Sequence, residues 1–430
     1  MLLFILVLFF VFLLAGIPIA FVLGSTTYFV FLEMGNPKIF KLIPQRMFGG
    51  VDDVVLMAIP FFILAGEVMN QAKITDGLVR FANVLVGHLR GGMAHVNILA
   101  SIIFAGISGS AVADTVALGK ILIPAMVKDR YDEDFSAAVT AASSIIGPII
   151  PPSIVMIIYA SIMRESVAAL FLGGFLPGLL LGIFLMGAAY ISSRLKNYGT
   201  YKKRASFREF LNALKSAIHA LLMPFIILGG ILGGICTPTE AAAIAVAYGL
   251  LVGFFWTREL KPSMLFNIVL RSTITSAMIL FVIGAASLFG WLIAFHNLAD
   301  EVARLFFSIS DNPYIILLLV NIIMLLAGMF MDLSVNIVIL APLLAPLVID
   351  QIGLHPLHFG MIMIVNLTVG LATPPVGLTL FAACGVSNVT FEQLVRRIIP
   401  FIMMEFIVIL LVTYIPFFST FLPRAFGYIK

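Results

Sequence analysis

The chain has 430 residues, of which 62% are hydrophobic and only 11% charged, and its formal net charge is +4. So few charges cannot clothe a soluble protein of that length, and the composition is that of an all-α polytopic membrane protein. The small positive balance gives no basis for a nucleic-acid partner, and two cysteines, Cys236 and Cys384, imply neither a disulfide framework nor a metal cluster.

In chain order, residues 1–32 are nearly all apolar, lack a basic n-region and outrun a signal-peptide core, so they read as retained membrane helix. They suit one tilted helix, or two segments bent at Gly16-Ile17-Pro18. A short polar stretch, 33–53, carries Lys38, Lys41 and Arg46. Residues 54–69 form a membrane helix holding Pro60, and 73–90 an amphipathic surface helix with His88 and Arg90 near its end. Two apolar runs follow, 96–105 and 116–127, each short of the roughly 20 residues that a spanning helix needs. Between them lies Gly106-Ile107-Ser108-Gly109-Ser110, with Asp114 just beyond. Backbone at membrane depth must bond within itself or be shielded by protein or a watery cavity. The pattern therefore fits a re-entrant hairpin near 96–127 with a Gly/Ser tip; a plain turn between two spanning helices is the alternative.

Beyond a charged turn at 128–134, the apolar span 137–162 is interrupted by Gly147-Pro148-Ile149-Ile150-Pro151-Pro152-Ser153, and 167–191 is an ordinary span. Residues 194–208 are the most basic segment, with Arg194, Lys196, Lys202, Lys203, Arg204 and Arg208, which marks the cytoplasmic side. Residues 201–215 are taken as the linker at the midpoint of the chain. Further spans are expected at 217–235, 239–256 and 264–295, then apolar runs over 313–350, 357–383 and 398–422.

Landmarks recur between the halves 1–200 and 216–430. Pro18 and Pro238 are 220 residues apart, Asp114 and Asp332 are 218 apart, as are Pro124 and Pro342, and Gly147 and Gly370 are 223 apart, each followed by a Pro-Pro pair. The second half thus has its own hairpin near 315–350 and its own broken helix, 357–383. Paired Gly/Pro-interrupted segments at corresponding positions point to the binding site of a secondary transporter built from inverted repeats.

Proline lacks an amide hydrogen and strips the carbonyl four residues back of its helical partner. Pro151 and Pro152 free the carbonyls of Gly147 and Pro148; Pro374 and Pro375 free those of Gly370 and Leu371. Such carbonyls must find a donor, water or a cation. A kink healed by Ser, Thr or water explains one break; two matched breaks beside polar tips favour a sodium ion. The first cation site is expected to draw oxygens from Ser108, Ser110, Gly147, Ile150 and Pro151. The second draws on Gly328, Asp332, Asn366, Gly370 and Thr373. Asp114 and Asp332 suit helix capping and cation support alike. Free amides at the outgoing half-helices suit an anionic substrate group, with Gly109, Asp114, Ser153 and Thr379 as its expected surroundings.

Several stretches together resemble the large membrane subunit of tripartite ATP-independent periplasmic (TRAP) transporters over essentially the whole chain. They are Met47-Phe48-Gly49-Gly50, Ala58-Ile59-Pro60-Phe61-Phe62-Ile63-Leu64-Ala65-Gly66, His88-Leu89-Arg90-Gly91-Gly92, 108–119, 147–153, Thr237-Pro238-Thr239-Glu240-Ala241-Ala242 and Thr373-Pro374-Pro375-Val376-Gly377. The resemblance implies sodium-driven import across a bacterial inner membrane by an elevator mechanism, in which a domain carrying both hairpins slides against a scaffold. It implies a small four-helix membrane subunit, expected as a separate chain, and a periplasmic substrate-binding protein. Its substrates are carboxylates such as C4-dicarboxylates and sialic acid, and the sequence looks most like the sialic-acid branch. The helices near 1–32 and 167–191 are expected to dock the small subunit, with other apolar faces meeting lipid. Two other classes compete. Gly106-Ile107-Ser108-Gly109 fits the Gly-x-Ser-Gly of intramembrane serine proteases, which need a membrane histidine, and a channel or scaffold would need no coupling to sodium.

Overall fold

Helices apolar on every side satisfy their own backbone and present hydrocarbon all round, which is what a bilayer demands. A computed structural model describes residues 1–200 and 203–429; Tyr201 and Lys202, in the expected linker, and Lys430 lie outside the described residues. Among the described residues all regular structure is helical. Seven helices among the described residues are long and apolar enough to cross a membrane, or eight if the bent pair Phe391–Tyr414 and Phe417–Ala425 is one span. The chain is a multi-pass membrane protein.

The first 32 residues take the two-segment form. Leu2–Leu14 and Ile19–Glu33 are separate helices, parted where Gly16 adopts φ +77°, a conformation open to glycine at little cost. The polar stretch 33–53 is more ordered than its composition suggests. It holds a short helical turn, Pro37–Lys41, and the helix Leu42–Val51. That helix lies against the 34-residue helix Pro262–Phe295, with Arg46 stationed 5.9 Å over the ring of Trp291. The linker is shorter than expected, because Ser206 and Glu209 form a capping box that starts the helix Phe207–Leu232.

The helices sort into two groups by contact. A flanking group comprises the segments before residue 87 and those from Phe207 to Phe295, and Leu298–Ile309 bridges from it to Leu333–Gln351. A central group comprises 92–196 and 313–425. One order of elements occurs twice. In the first half it runs amphipathic helix Thr75–Val86, helices Gly92–Ser108 and Ala111–Lys128 joined by a tight turn, helix Glu133–Ser144, an irregular break, Ile154–Met163, and the long Val167–Lys196. In the second it runs Leu298–Ile309, Pro313–Phe330 and Leu333–Ala345, Pro356–Gly370, a break, Leu378–Gly385, and Phe391–Tyr414. The amphipathic helix Leu298–Ile309 is absent from the expectations above, yet it has the same length, 12 residues, as Thr75–Val86.

The halves interleave. The arm Ala111–Lys128 packs on Leu378–Gly385 of the other half, and Leu333–Ala345 packs on Ile154–Met163. Phe135 and Phe401 meet at 5.9 Å, and Tyr159 donates its hydroxyl to the Pro356 carbonyl at 2.6 Å. Both breaks are thereby held inside one body.

Candidate functional site

The first tip turns within two residues. Gly109 is left-handed at φ +62°, and Ser110 caps the outgoing helix by accepting from the Ala113 amide at 3.5 Å. Asp114 therefore sits inside the first turn and is not the cap. It is fully buried, its Oδ1 accepts from the Ser108 hydroxyl, and its Oδ2 has no hydrogen-bond partner among the described residues. That free oxygen faces the first break: a Cβ built on Gly147 would fall 2.4 Å from it. The tip rests on the break's carbonyl edge, since Cβ atoms on Gly106 and Gly109 would fall 3.6 Å from the Pro151 oxygen and 3.0 Å from the Pro152 oxygen. Ser108 and Gly147 are thus brought together at Asp114, while the Pro151 oxygen lies against the tip at Gly106. Ser110 stands at the cap, and the Ile150 side chain packs against Gly178 of the long helix.

At the second tip Asp332 is the cap, accepting from the Ser334 amide at 2.9 Å, and it is exposed. The two aspartates therefore occupy different positions. The caps Ser110 and Asp332 are 222 residues apart, and at that spacing Asp114 corresponds to Asn336 and Pro124 to Pro346. Asn336 is fully buried, donates to the Ala327 and Met331 carbonyls at 3.3 and 3.1 Å, and leaves its Oδ1 without a partner. Sequence reasoning missed it because the spacing of 218 matched the wrong pair. Gly328 and Gly370 touch backbone to backbone: a Cβ on Gly370 would fall 2.6 Å from the Gly328 carbonyl carbon. The Gly377 amide donates to the Met329 carbonyl at 3.3 Å, which ties tip to break. Asn366 is turned toward a neighbouring arm, donating to the carbonyl and side-chain oxygens of Asn321, while its own Oδ1 is unpartnered.

Several of the carbonyls released by proline find donors within the chain. Ser153 donates to the Pro148 oxygen at 2.5 Å while capping its own helix through the Met156 amide. Thr379 serves the Leu371 oxygen twice, through its amide at 3.0 Å and its hydroxyl at 2.9 Å. The Gly370 oxygen accepts from the Thr373 amide at 3.0 Å, and the Thr373 hydroxyl donates to the Val369 carbonyl at 2.8 Å. Ser153 and Thr379 are buried, and their hydroxyl protons are committed to the breaks themselves.

Both tips open on one cavity of about 340 Å³. Gly109, Ser110, Asp332 and Ser334 face it from the tips, Pro148 and Leu371 from the breaks, and Thr275 and Met278 from the flanking helix Pro262–Phe295. The helices Ala111–Lys128 and Leu333–Ala345 begin at its wall, where unpaired amides and the positive ends of helix dipoles favour an anionic group. The flanking residues were not foreseen, because a uniformly apolar helix carries no mark of the face that lines a cavity. The Ser108 hydroxyl is engaged with Asp114, and His95 in the same arm bonds the Arg90 carbonyl at 3.2 Å. No serine–histidine pair of a protease forms at this tip among the described residues.

The profile described as "Tripartite ATP-independent periplasmic transporter, DctM component" matches residues 6–418. The chain is 40% identical, over 96% of its length and 96% of the relative's, to the sialic acid TRAP transporter large permease protein SiaM of Vibrio cholerae. It is 38% identical to the C4-dicarboxylate TRAP transporter large permease protein DctM of Pseudomonas aeruginosa, over 94% of this chain and 93% of that one. The isethionate TRAP transporter permease protein DctMQ of Oleidesulfovibrio alaskensis is 40% identical over 94% of this chain, which spans 64% of that longer protein. Among solved structures, the YdaH transporter of Alcanivorax borkumensis superposes with TM-score 0.61 at 15% identity, over 91% of this chain and 88% of that one. That likeness speaks for the fold alone.

Proposed function

The chain belongs to the DctM family of TRAP transporter components, and from that premise we propose that it is the large permease of a sodium-driven importer of an organic acid in a bacterial inner membrane. The observation that carries this reading is the shared cavity, walled by two hairpin tips, two helix breaks and the start of two helices. An anion seated there meets helix N-termini, while cations held at the tip–break contacts offset its charge. The first sodium site is assigned to Asp114 Oδ2, Ser108, Gly147 and Pro151, and the second to backbone oxygens around Gly328, Gly370 and Thr373. Asp332 already caps its helix and stands in the cavity, so it is placed near the substrate and not within the second ion site.

Inverted repeats and an elevator motion are supported by where the ends lie. Both ends of the first hairpin are at the basic face, where Arg90 bonds Asn197, and Arg397 pairs with Asp132 and Asp134. Both ends of the second hairpin are at the opposite face, where Tyr414 bonds the Tyr314 carbonyl and Tyr159 bonds Pro356. The central group then slides, with both tips, against the flanking group. A small membrane subunit and a periplasmic binding protein complete the machine, as the family implies.

The relatives transport sialic acid, C4-dicarboxylates or other acids by name. N-acetylneuraminate is the first substrate proposed and a C4-dicarboxylate the second. The test is uptake by cells carrying this chain with its small subunit and binding protein, using labelled N-acetylneuraminate against excess unlabelled succinate. Competition-resistant uptake supports the first substrate, and uptake of succinate alone supports the second. Uptake of neither carboxylate overturns the reading.

A further inference from the structure

The two helix groups meet across a surface that is nearly devoid of polar contact. With the connecting segments 87–91, 197–206 and 310–312 set aside, one residue alone joins them by side-chain hydrogen bonding or ion pairing among the described residues. That residue is Asp53, on the flanking side. Its Oδ2 accepts from the Ser161 hydroxyl at 2.6 Å and lies 3.9 Å from the Arg164 guanidinium, both on the central group. Its Oδ1 accepts from the Val55 amide at 2.9 Å, so the carboxylate is fixed to its own backbone and cannot follow Ser161 if the central group moves. Val54 is itself held from the flanking side, its carbonyl accepting from Thr239 at 3.0 Å.

The surroundings leave room for the contact to open. A cavity of about 260 Å³ lies beside it, walled by Gly49, Gly50 and Ser287 of the flanking group and by Val338 and Pro342 of the second hairpin arm. Arg164 ends the helix Ile154–Met163 in a left-handed conformation at φ +58°, and its side chain is 85% exposed. Ser161 sits one turn earlier on the helix that begins at the first break. Any displacement of the first break along that helix is therefore felt at Ser161.

We propose that Asp53, Ser161 and Arg164 form a polar latch that fixes the central group at one end of its travel and must open once in each transport cycle. An apolar sliding surface has no preferred stopping place, whereas one partly buried, charge-assisted hydrogen bond supplies one. The inference rests on the sliding motion proposed above, and the two can fail separately. In a chain with Cys236 and Cys384 replaced by serine, the pair Asp53→Cys and Ser161→Cys is oxidised in membranes. Crosslinking is expected to abolish uptake, with recovery on reduction. Full uptake by quantitatively crosslinked protein overturns both the latch and the sliding motion, and failure of the pair to crosslink overturns the contact itself. Ser161→Ala and Asp53→Asn, without any crosslink, are expected to shift the apparent sodium affinity of uptake by about five- to tenfold, the effect of one hydrogen bond on the balance between two states. Ser161→Thr, which keeps the hydroxyl, restores parental behaviour. Blocked uptake in the crosslinked pair with unchanged sodium affinity in both single variants leaves the sliding motion standing and overturns the latch.

Discussion

The two oxygens of Asp114 have different occupations. One accepts from Ser108, and the other is buried and unpartnered against Gly147, an arrangement costly for a carboxylate unless a cation completes it. Asp114→Asn keeps an acceptor for Ser108 and is expected to weaken the sodium dependence of uptake about tenfold or more, the worth of one charge-assisted contact. Initial rates measured against sodium concentration check this, with membrane levels of the chain as control. Gly147→Ala would place a methyl group 2.4 Å from that oxygen and is expected to abolish uptake. Asp332→Asn should behave otherwise. Asparagine caps as well as aspartate, so sodium dependence and its pH profile are expected to match the parent. Loss of sodium dependence would instead put Asp332 in the second ion site. The position of Asp114 beside the first tip was legible in the sequence, as a carboxylate between two apolar runs. Its counterpart Asn336 was not, because a buried asparagine in an apolar helix looks like any polar residue until the caps fix the register.

The tip–break contact is the element that the fold is built to hold. Gly328 and Gly370 meet so closely that a methyl on either would fall within 2.8 Å of backbone, and backbone cannot give way as a side chain can. Gly328→Ala is therefore expected to lift the second tip from its break and to lose uptake while the chain still inserts, as read by surface labelling and transport together. Ser153→Ala leaves the buried Pro148 carbonyl without its donor, at a cost of about 1–3 kcal/mol. Thr379→Val should cost less, because the Thr379 amide still serves the Leu371 carbonyl. Melting temperatures in detergent should therefore fall further for Ser153→Ala than for Thr379→Val. The tight turns and the breaks were readable because proline and glycine act locally; the lengths of the arms were not, since the first pair runs 17 and 18 residues and both second arms are long enough to cross a membrane. The helices Leu42–Val51 and Leu298–Ile309 were not, since they are mixed in composition and owe their order to the apolar partners they lie on.

At the scale of the whole molecule, interleaving makes the two breaks one unit. Each outgoing hairpin arm packs on the short helix of the opposite half, so neither tip can move without the other's break. That coupling suits a transporter whose ions and substrate must travel together. The repeated order of elements was visible in the sequence as spaced prolines and glycines; the exchange of arms between halves was not, because apolar faces do not name their partners. Coupling of a carboxylate to sodium is what is proposed for the molecule as a whole. It is tested most directly in proteoliposomes holding this chain with its small subunit and binding protein, by following labelled N-acetylneuraminate, or succinate, with and without an inward sodium gradient. The predicted result is accumulation above the external concentration only under the gradient. Equilibration at the same rate in the absence of sodium would contradict it.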